Sequence, residues 1–214
     1  FSKADSEGTI NEAFETYKRA IYQSINLIYP IIFFCLFFAK DIVVFIYGKQ
    51  YEASKSYLQV SLIRDIAEVI PYLSVLLALG KSSVYLYVHL VCALLIWIVG
   101  FVIVKSGLPP IAIALSSSLV QIVIAISIFV YLYSKYRVSL IPCSLIKHIL
   151  IVSLHLSITL SLLIICEKLL RPDWNIMTLL IVVGVLYYII IIITGRLIKI
   201  DYGTEMIKRL KAIY

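Results

Sequence analysis

Six runs of about twenty predominantly apolar residues constrain this chain more than any other feature. They lie near Ala20–Ala39, Ser61–Leu79, Tyr85–Val104, Ile111–Tyr133, Ile146–Cys166 and Ile176–Thr194. An α-helix rises about 1.5 Å per residue, so about 20 residues match the roughly 30 Å hydrocarbon core of a bilayer. Several runs are rich in Ile and Val, which favour strands in water. In lipid a lone strand leaves its backbone N–H and C=O groups unpaired, so the runs are read as helices. The alternation of a membrane β-barrel is absent. The predicted fold class is all-α, a polytopic membrane protein with about six transmembrane helices.

Composition closes off the soluble alternative. Of 214 residues, 62% are hydrophobic and 14% charged, against about 25% charged in an average soluble domain. The mean hydropathy is +1.03. A single soluble core of this size does not hide so much apolar surface. The net charge of +7 is spread over short clusters between the apolar runs, the pattern of loops at a membrane surface, so nucleic acid is not an expected partner. Cys35, Cys92, Cys143 and Cys166 form no CxxC pair and are expected as reduced, buried residues. No secretory signal is visible. The chain begins with Phe1 rather than Met, and it is read as part of a longer protein.

Ahead of the first run, Thr9 and Glu12 fit a capping box, and Ile10, Ala13, Phe14, Tyr17 and Ile21 recur on one helical face. An interfacial helix and a plain extension of the first span both satisfy this pattern. An even number of spans puts both ends on one side. That side collects Lys3, Lys18, Arg19, Lys81, Lys135, Arg137, Lys147, Arg196, Lys199, Lys208, Arg209 and Lys211; the other holds Lys40, Lys49, Lys55, Arg64, Lys105, Lys168 and Arg171. The positive-inside rule then predicts cytoplasmic ends. The longest outer loop, Lys40 to Val60, carries a turn at Gly48 and a predicted surface helix over Tyr51–Leu58. No loop is large enough for a separate catalytic domain.

Pro30 and Pro71 fall inside the first and second spans. Each removes a helical hydrogen bond and crowds the preceding turn, so helix kinks are predicted at both, either for motion or for static packing. No P-loop, GxGxxG, GxSxG or HExxH motif is present. No enzyme activity, cofactor or metal is expected.

The most informative cluster is Arg64, Asp65 and Glu68, placed in the first turns of the second span. Arg64 and Glu68 share a helix face, with Asp65 beside it. A charge at mid-bilayer costs about 2.5–3.5 kcal/mol on insertion scales and usually faces a cavity or a partner. The triad reads either as the lining of an aqueous cavity, contacting an anionic substrate or coupling an ion, or as a solvated group at the outer interface. His89 and His155 are read as packed, hydrogen-bonded residues. Gln23, Asn26 and Gln121 are expected as interhelical hydrogen-bond partners, and Ser116–Ser118 and Gly100 as close-packing surfaces.

The order of features then resembles a known family. Phe1-Ser2-Lys3 precedes an acidic amphipathic stretch and a proline-containing span; Ile46-Tyr47-Gly48-Lys49-Gln50-Tyr51 follows; Ala78-Leu79-Gly80-Lys81 precedes the next span. This is similar to the polysaccharide biosynthesis and O-antigen flippase family, of the superfamily that includes multidrug efflux and lipid II flippases. The resemblance implies that the chain corresponds to helices nine to fourteen of a fourteen-helix protein whose other half is an expected partner. It implies residues 1–19 as a cytoplasmic lead-in, 20–133 as the four-helix part of a transporter lobe, and 134–214 as two additional spans with a cytoplasmic tail.

It further implies a bacterial inner-membrane flippase. Its substrate would be an undecaprenyl-diphosphate-linked oligosaccharide, carried by alternating access, with membrane lipid and other polysaccharide assembly proteins as further partners. A diphosphate needs cationic groups in a low-dielectric cavity. Arg64 is the first candidate on this half and Lys40 a second, nearer the mouth. An antiporter of drugs or small molecules with the same fold, a glycan-assembly enzyme of the membrane, and a non-transporting membrane scaffold are the alternatives.

Overall fold

The structure, a computed structural model, describes residues 10–137, 141–170 and 175–202. Thr9, and with it the capping box, lies outside the described residues, as do Phe1-Ser2-Lys3, Arg171 and the basic tail from Lys208.

Eight α-helices and one 3-10 turn make up the described chain. They are α1 (Ile10–Phe37), α2 (Ala39–Tyr47), the 3-10 turn Lys49–Ser54, α3 (Lys55–Glu68), α4 (Tyr72–Ala78), α5 (Ser82–Lys105), α6 (Ile111–Tyr136), α7 (Cys143–Leu170) and α8 (Ile176–Leu197). The all-α reading is borne out. Five helices are long and apolar enough to cross a membrane: Phe14–Phe37 of α1, α5, α6, Cys143–Lys168 of α7, and α8. This is a multi-span membrane protein whose helices contact lipid.

The second predicted span differs. Ser61–Leu79 is not one helix but the end of α3 and the whole of α4, separated at Val69, Ile70 and Pro71. Pro71 has no N–H and pushes the residue before it out of the α region. Tyr72 N–H instead bonds to Ile70 O at 2.8 Å. A break replaces the predicted kink. At Pro30, by contrast, α1 runs on without interruption. The predicted loop and surface helix after the first span also differ. Lys40 sits in α2, the 3-10 turn occupies Lys49–Ser54, and α3 starts at Lys55. Gly48, at φ +92°, makes the turn between α2 and the 3-10 turn in a conformation L-residues avoid.

The described chain forms two compact units that interleave in sequence. One comprises the chain up to Ile21 together with Val60–Cys143; the other comprises Tyr22–Gln59 together with Ser144 onward. In the first, α5 and α6 pack as a hairpin across a short turn, and α4 packs on both. Its buried residues include Val75 and Leu76 of α4 and Ile124, Ile128 and Leu132 of α6. Tyr72 meets Phe129 edge-on at 6.0 Å.

In the second unit, α8 buries Val183, Tyr187, Ile191 and Gly195, a row at every fourth residue that forms one ridge of the helix. Leu145, Val152, Leu156 and Leu160 line the buried face of α7. Phe34 stacks on Phe38 at 4.9 Å and on Tyr187 at 5.8 Å.

Outward faces are apolar. On α5, Trp97 is 80% exposed and Val104 68%, while Cys92 and Ile103 are its buried residues. Contiguous exposed apolar surface on this scale is not tolerated in water and is ordinary in hydrocarbon. A groove of about 500 Å³ on α1 and α8, lined by Ile31, Phe34, Gly184 and Tyr188 among others, is likewise almost wholly apolar.

Candidate functional site

The charged triad closes α3 rather than opening a span. Arg64, Asp65 and Glu68 occupy its last two turns, directly before the break at Val69–Pro71. Arg64 donates from Nε (3.2 Å) and Nη2 (2.9 Å) to Asp65 Oδ1. Its Nε lies 3.5 Å from Glu68 Oε1. The adjacent carboxylate is the closer partner, and the contact with Glu68 one turn away agrees with the shared helix face. All three side chains are about one-third exposed, at 32%, 40% and 38% for Arg64, Asp65 and Glu68. At that exposure such pairs contribute on the order of 0–1 kcal/mol each. One cation against two carboxylates leaves a formal charge of −1.

Other polar groups gather near the break. Glu68 lies within electrostatic reach of Tyr72 and of His89 on α5. The His89 ring packs against Tyr85 at 4.0 Å. Its Nε2 is buried and has no hydrogen-bond partner among the described residues. The expectation of a satisfied histidine fails at this position. Buried polar nitrogens are almost always paired, so this one is open to a further hydrogen bond.

Lys40 belongs to the other compact unit. It pairs with Glu52 at 2.8 Å, with side chains 53% and 36% exposed. The hydrogen bond and charge of Glu52 raise the Lys40 ammonium above its ordinary range, and Lys40 holds the Glu52 carboxyl below its own. Pro30 lies within α1, where its carbonyl accepts a buried 3.2 Å hydrogen bond from Tyr187 Oη.

Two polar clusters escaped the sequence reading in whole or part. His148 Nε2 meets Asn26 Oδ1 at 2.8 Å, which bears out the expectation for Asn26, and the ring stands edge-on to Tyr22 at 4.8 Å. His155 is the packed residue anticipated: Nδ1 reaches Tyr202 Oη at 2.9 Å and Nε2 reaches Thr194 Oγ1 at 2.8 Å. The Thr194 hydroxyl already donates to Ile190 O at 2.7 Å. It therefore accepts from His155 Nε2–H, which leaves Nδ1 to accept from Tyr202. The spacing of His148 relative to Asn26 carried no local signal, since the two are distant in sequence.

Several packing expectations also change. The Gln121 side chain makes no hydrogen bond among the described residues. The hydroxyls of Ser116, Ser117 and Ser118 turn back to carbonyls of their own helix. A Cβ at Gly100 meets nothing within 4 Å, whereas one at Gly195 falls 2.5 Å from the Tyr202 ring. Gly195, not Gly100, is the close-packing glycine. The four cysteines are free. No group of metal-ligating side chains occurs among the described residues.

Comparison with known proteins finds no matching family model, no matching curated protein and no matching solved structure.

Proposed function

We propose that this membrane protein is part of a flippase for a lipid-linked oligosaccharide, working by alternating access. The observation that carries the reading is the break between α3 and α4, in the stretch read from the sequence as the second span. An interrupted helix in an apolar chain, with Arg64, Asp65 and Glu68 on one side of the break and Tyr72 on the other, is the arrangement that transporters use to place charge and free backbone groups at membrane depth. The helical repertoire, the short connections and the ordered run of short motifs around Gly48 and Gly80-Lys81 support it.

In this reading Arg64 attracts the diphosphate of the substrate and exchanges one of its carboxylate partners for a phosphate oxygen. Asp65 and Glu68 hold the guanidinium in place when substrate is absent. Lys40, already paired to Glu52, is a secondary contact.

Arg64→Ala in the intact protein is expected to reduce surface-glycan export at least about tenfold, the effect of losing roughly 1.4 kcal/mol of a charge-assisted contact, with the protein still present in the membrane. Normal export by that variant removes Arg64 from the mechanism.

A cation-coupled antiporter of small molecules is the second reading. The formal −1 of the triad and the unpartnered Nε2 of His89 favour it. Glu68→Gln separates the two. Loss of proton- or sodium-driven uptake in vesicles, with glycan export intact, selects the antiporter.

A further inference from the structure

The α5–α6 hairpin brings like charges together at its open end. The helices are joined by the turn Ser106–Pro110 and pack side by side. Counted from that turn, Lys81 and Lys135 lie the same number of residues from Lys105 and Ile111, so an antiparallel pair sets them at one level. Both lysines therefore stand at the open end of the packed pair. Lys135 Nζ donates to Tyr131 Oη at 3.5 Å and stands 5.9 Å and 5.8 Å from the ring centroids of Tyr131 and Tyr136. Arg137 follows as the C-cap of α6, held at φ +55°.

Like charges gathered at one end of a helix pair disfavour each other, more so where apolar surface displaces water. Among the described residues neither Lys81 nor Lys135 has a carboxylate within ion-pair distance. The backbone fixes where Lys81 stands: Gly80 at φ +64° reverses the chain, and Lys81 N–H bonds to Leu76 O at 2.8 Å, closing α4.

The surroundings place this end at a membrane boundary. Both helices have the length and hydropathy of spans. Tyr85 and Tyr87 near the start of α5 and Tyr131, Tyr133 and Tyr136 near the end of α6 form an aromatic belt of the kind found at headgroup level. Exposed Leu86 and Val130 lie just inside it.

We propose that the Lys81–Lys135 end of the α5–α6 hairpin is a phosphate-binding site, occupied by the headgroup of an anionic phospholipid. A phosphate bound at this end accepts a charge-assisted hydrogen bond from each ammonium group. The Tyr131 hydroxyl, whose oxygen already accepts from Lys135, keeps its proton to donate as a third. The acyl chains then lie along the exposed faces of α5 and α6. The site is independent of the transported substrate.

Native mass spectrometry of the purified full protein, with added phosphatidylglycerol or phosphatidylcholine, tests it. Wild type is expected to retain phosphatidylglycerol preferentially. Lys81→Gln should cost about fivefold in that preference, and Lys81→Gln with Lys135→Gln about twentyfold, given the usual contribution of a surface lysine facing anionic lipid. Lys105→Gln, at the opposite end of the hairpin, should cost nothing. The single variant and the charge-preserving pair Lys81→Arg with Lys135→Arg keep the test decisive if the double glutamine variant does not fold.

A second arm measures thermal protection by inorganic phosphate against chloride at equal ionic strength. Protection of wild type but not of the lysine variants, without lipid preference, supports the phosphate site and assigns it to a soluble anion. Equal retention of both lipids together with no phosphate protection, or unchanged preference in the lysine variants, overturns the proposal.

Discussion

At the scale of single residues, the informative positions are those where the structure assigns a partner that the sequence does not reveal. Arg64 shows this. Helical periodicity sets it on one face with Glu68, which it meets at 3.5 Å, but does not rank the two carboxylates; the guanidinium lies closer to the adjacent Asp65, at 2.9 Å. Gly195 is a sharper case. With the Tyr202 ring 2.5 Å and Ile200 O 3.0 Å from a would-be Cβ, Gly195→Ala is expected to destabilise by about 1–3 kcal/mol through overpacking. Gly100→Ala, facing open space, should stabilise by about 0.5–1 kcal/mol through lower unfolded-state entropy. Thermal unfolding of both variants in detergent checks the contrast, and equal shifts would refute it.

The exposed Lys40–Glu52 pair gives a pH prediction at the same scale. The Glu52 carboxyl is held low, so its contribution is present above the ordinary carboxylate range and fades as pH falls through the folded value. The Lys40 ammonium is held high, so its contribution is present at neutral pH and fades as pH rises through the folded value. A small difference in melting temperature between wild type and Glu52→Gln, measurable at neutral pH and low salt, is therefore expected to fade as pH falls through the folded Glu52 carboxyl value and to vanish in about 1 M salt.

At the scale of elements, the break between α3 and α4 is the feature with most consequence. Proline marks the position, but whether a proline bends a helix or ends one depends on what the neighbouring backbone can bond to. Within α1, Pro30 is carried by an uninterrupted helix whose carbonyl at that residue takes the Tyr187 hydroxyl. At Pro71 no helix continues, and Val69 and Ile70 are buried in the gap. Pro71→Ala is expected to let α3 and α4 join. Spin labels at the exposed positions Ile63 and Leu77 should then give a narrow distance distribution near about 21 Å, the rise of an unbroken helix over that stretch. A distribution identical to wild type would mean that tertiary packing, not the proline, sets the break. Transport should fall in the same variant if the break serves substrate passage.

At the scale of the whole molecule, the count of crossings decides sidedness. Among the described residues five helices span by length and hydropathy, and five crossings alone would put the chain's two ends on opposite faces. Taken together, α3 and α4 rise about 31 Å, enough for the hydrocarbon thickness, so the broken pair is expected to make a sixth crossing. Reporters fused at the two ends should then read the same face, the cytoplasmic one by the charge bias. Opposite readings would mean that the α3–α4 pair re-enters without crossing, and would undercut the proposed role of the triad.

The division between what was legible and what was not follows from range. Hydrocarbon as the solvent, the helical class, the positions of α5 through α8 and the disruption near Pro71 were determined by the sequence alone. Each depends on a local property, the mean polarity of about twenty successive residues or the missing N–H of one proline. The unsatisfied nitrogen of His89, the His148–Asn26 bond and the choice of Gly195 over Gly100 as the tight contact were decided only by tertiary structure. Lipid accepts almost any apolar side chain on any face, so hydropathy says that a helix crosses without saying which of its sides meets protein. That is settled when specific helices pack and particular side chains, often more than a hundred residues apart, arrive within hydrogen-bonding distance.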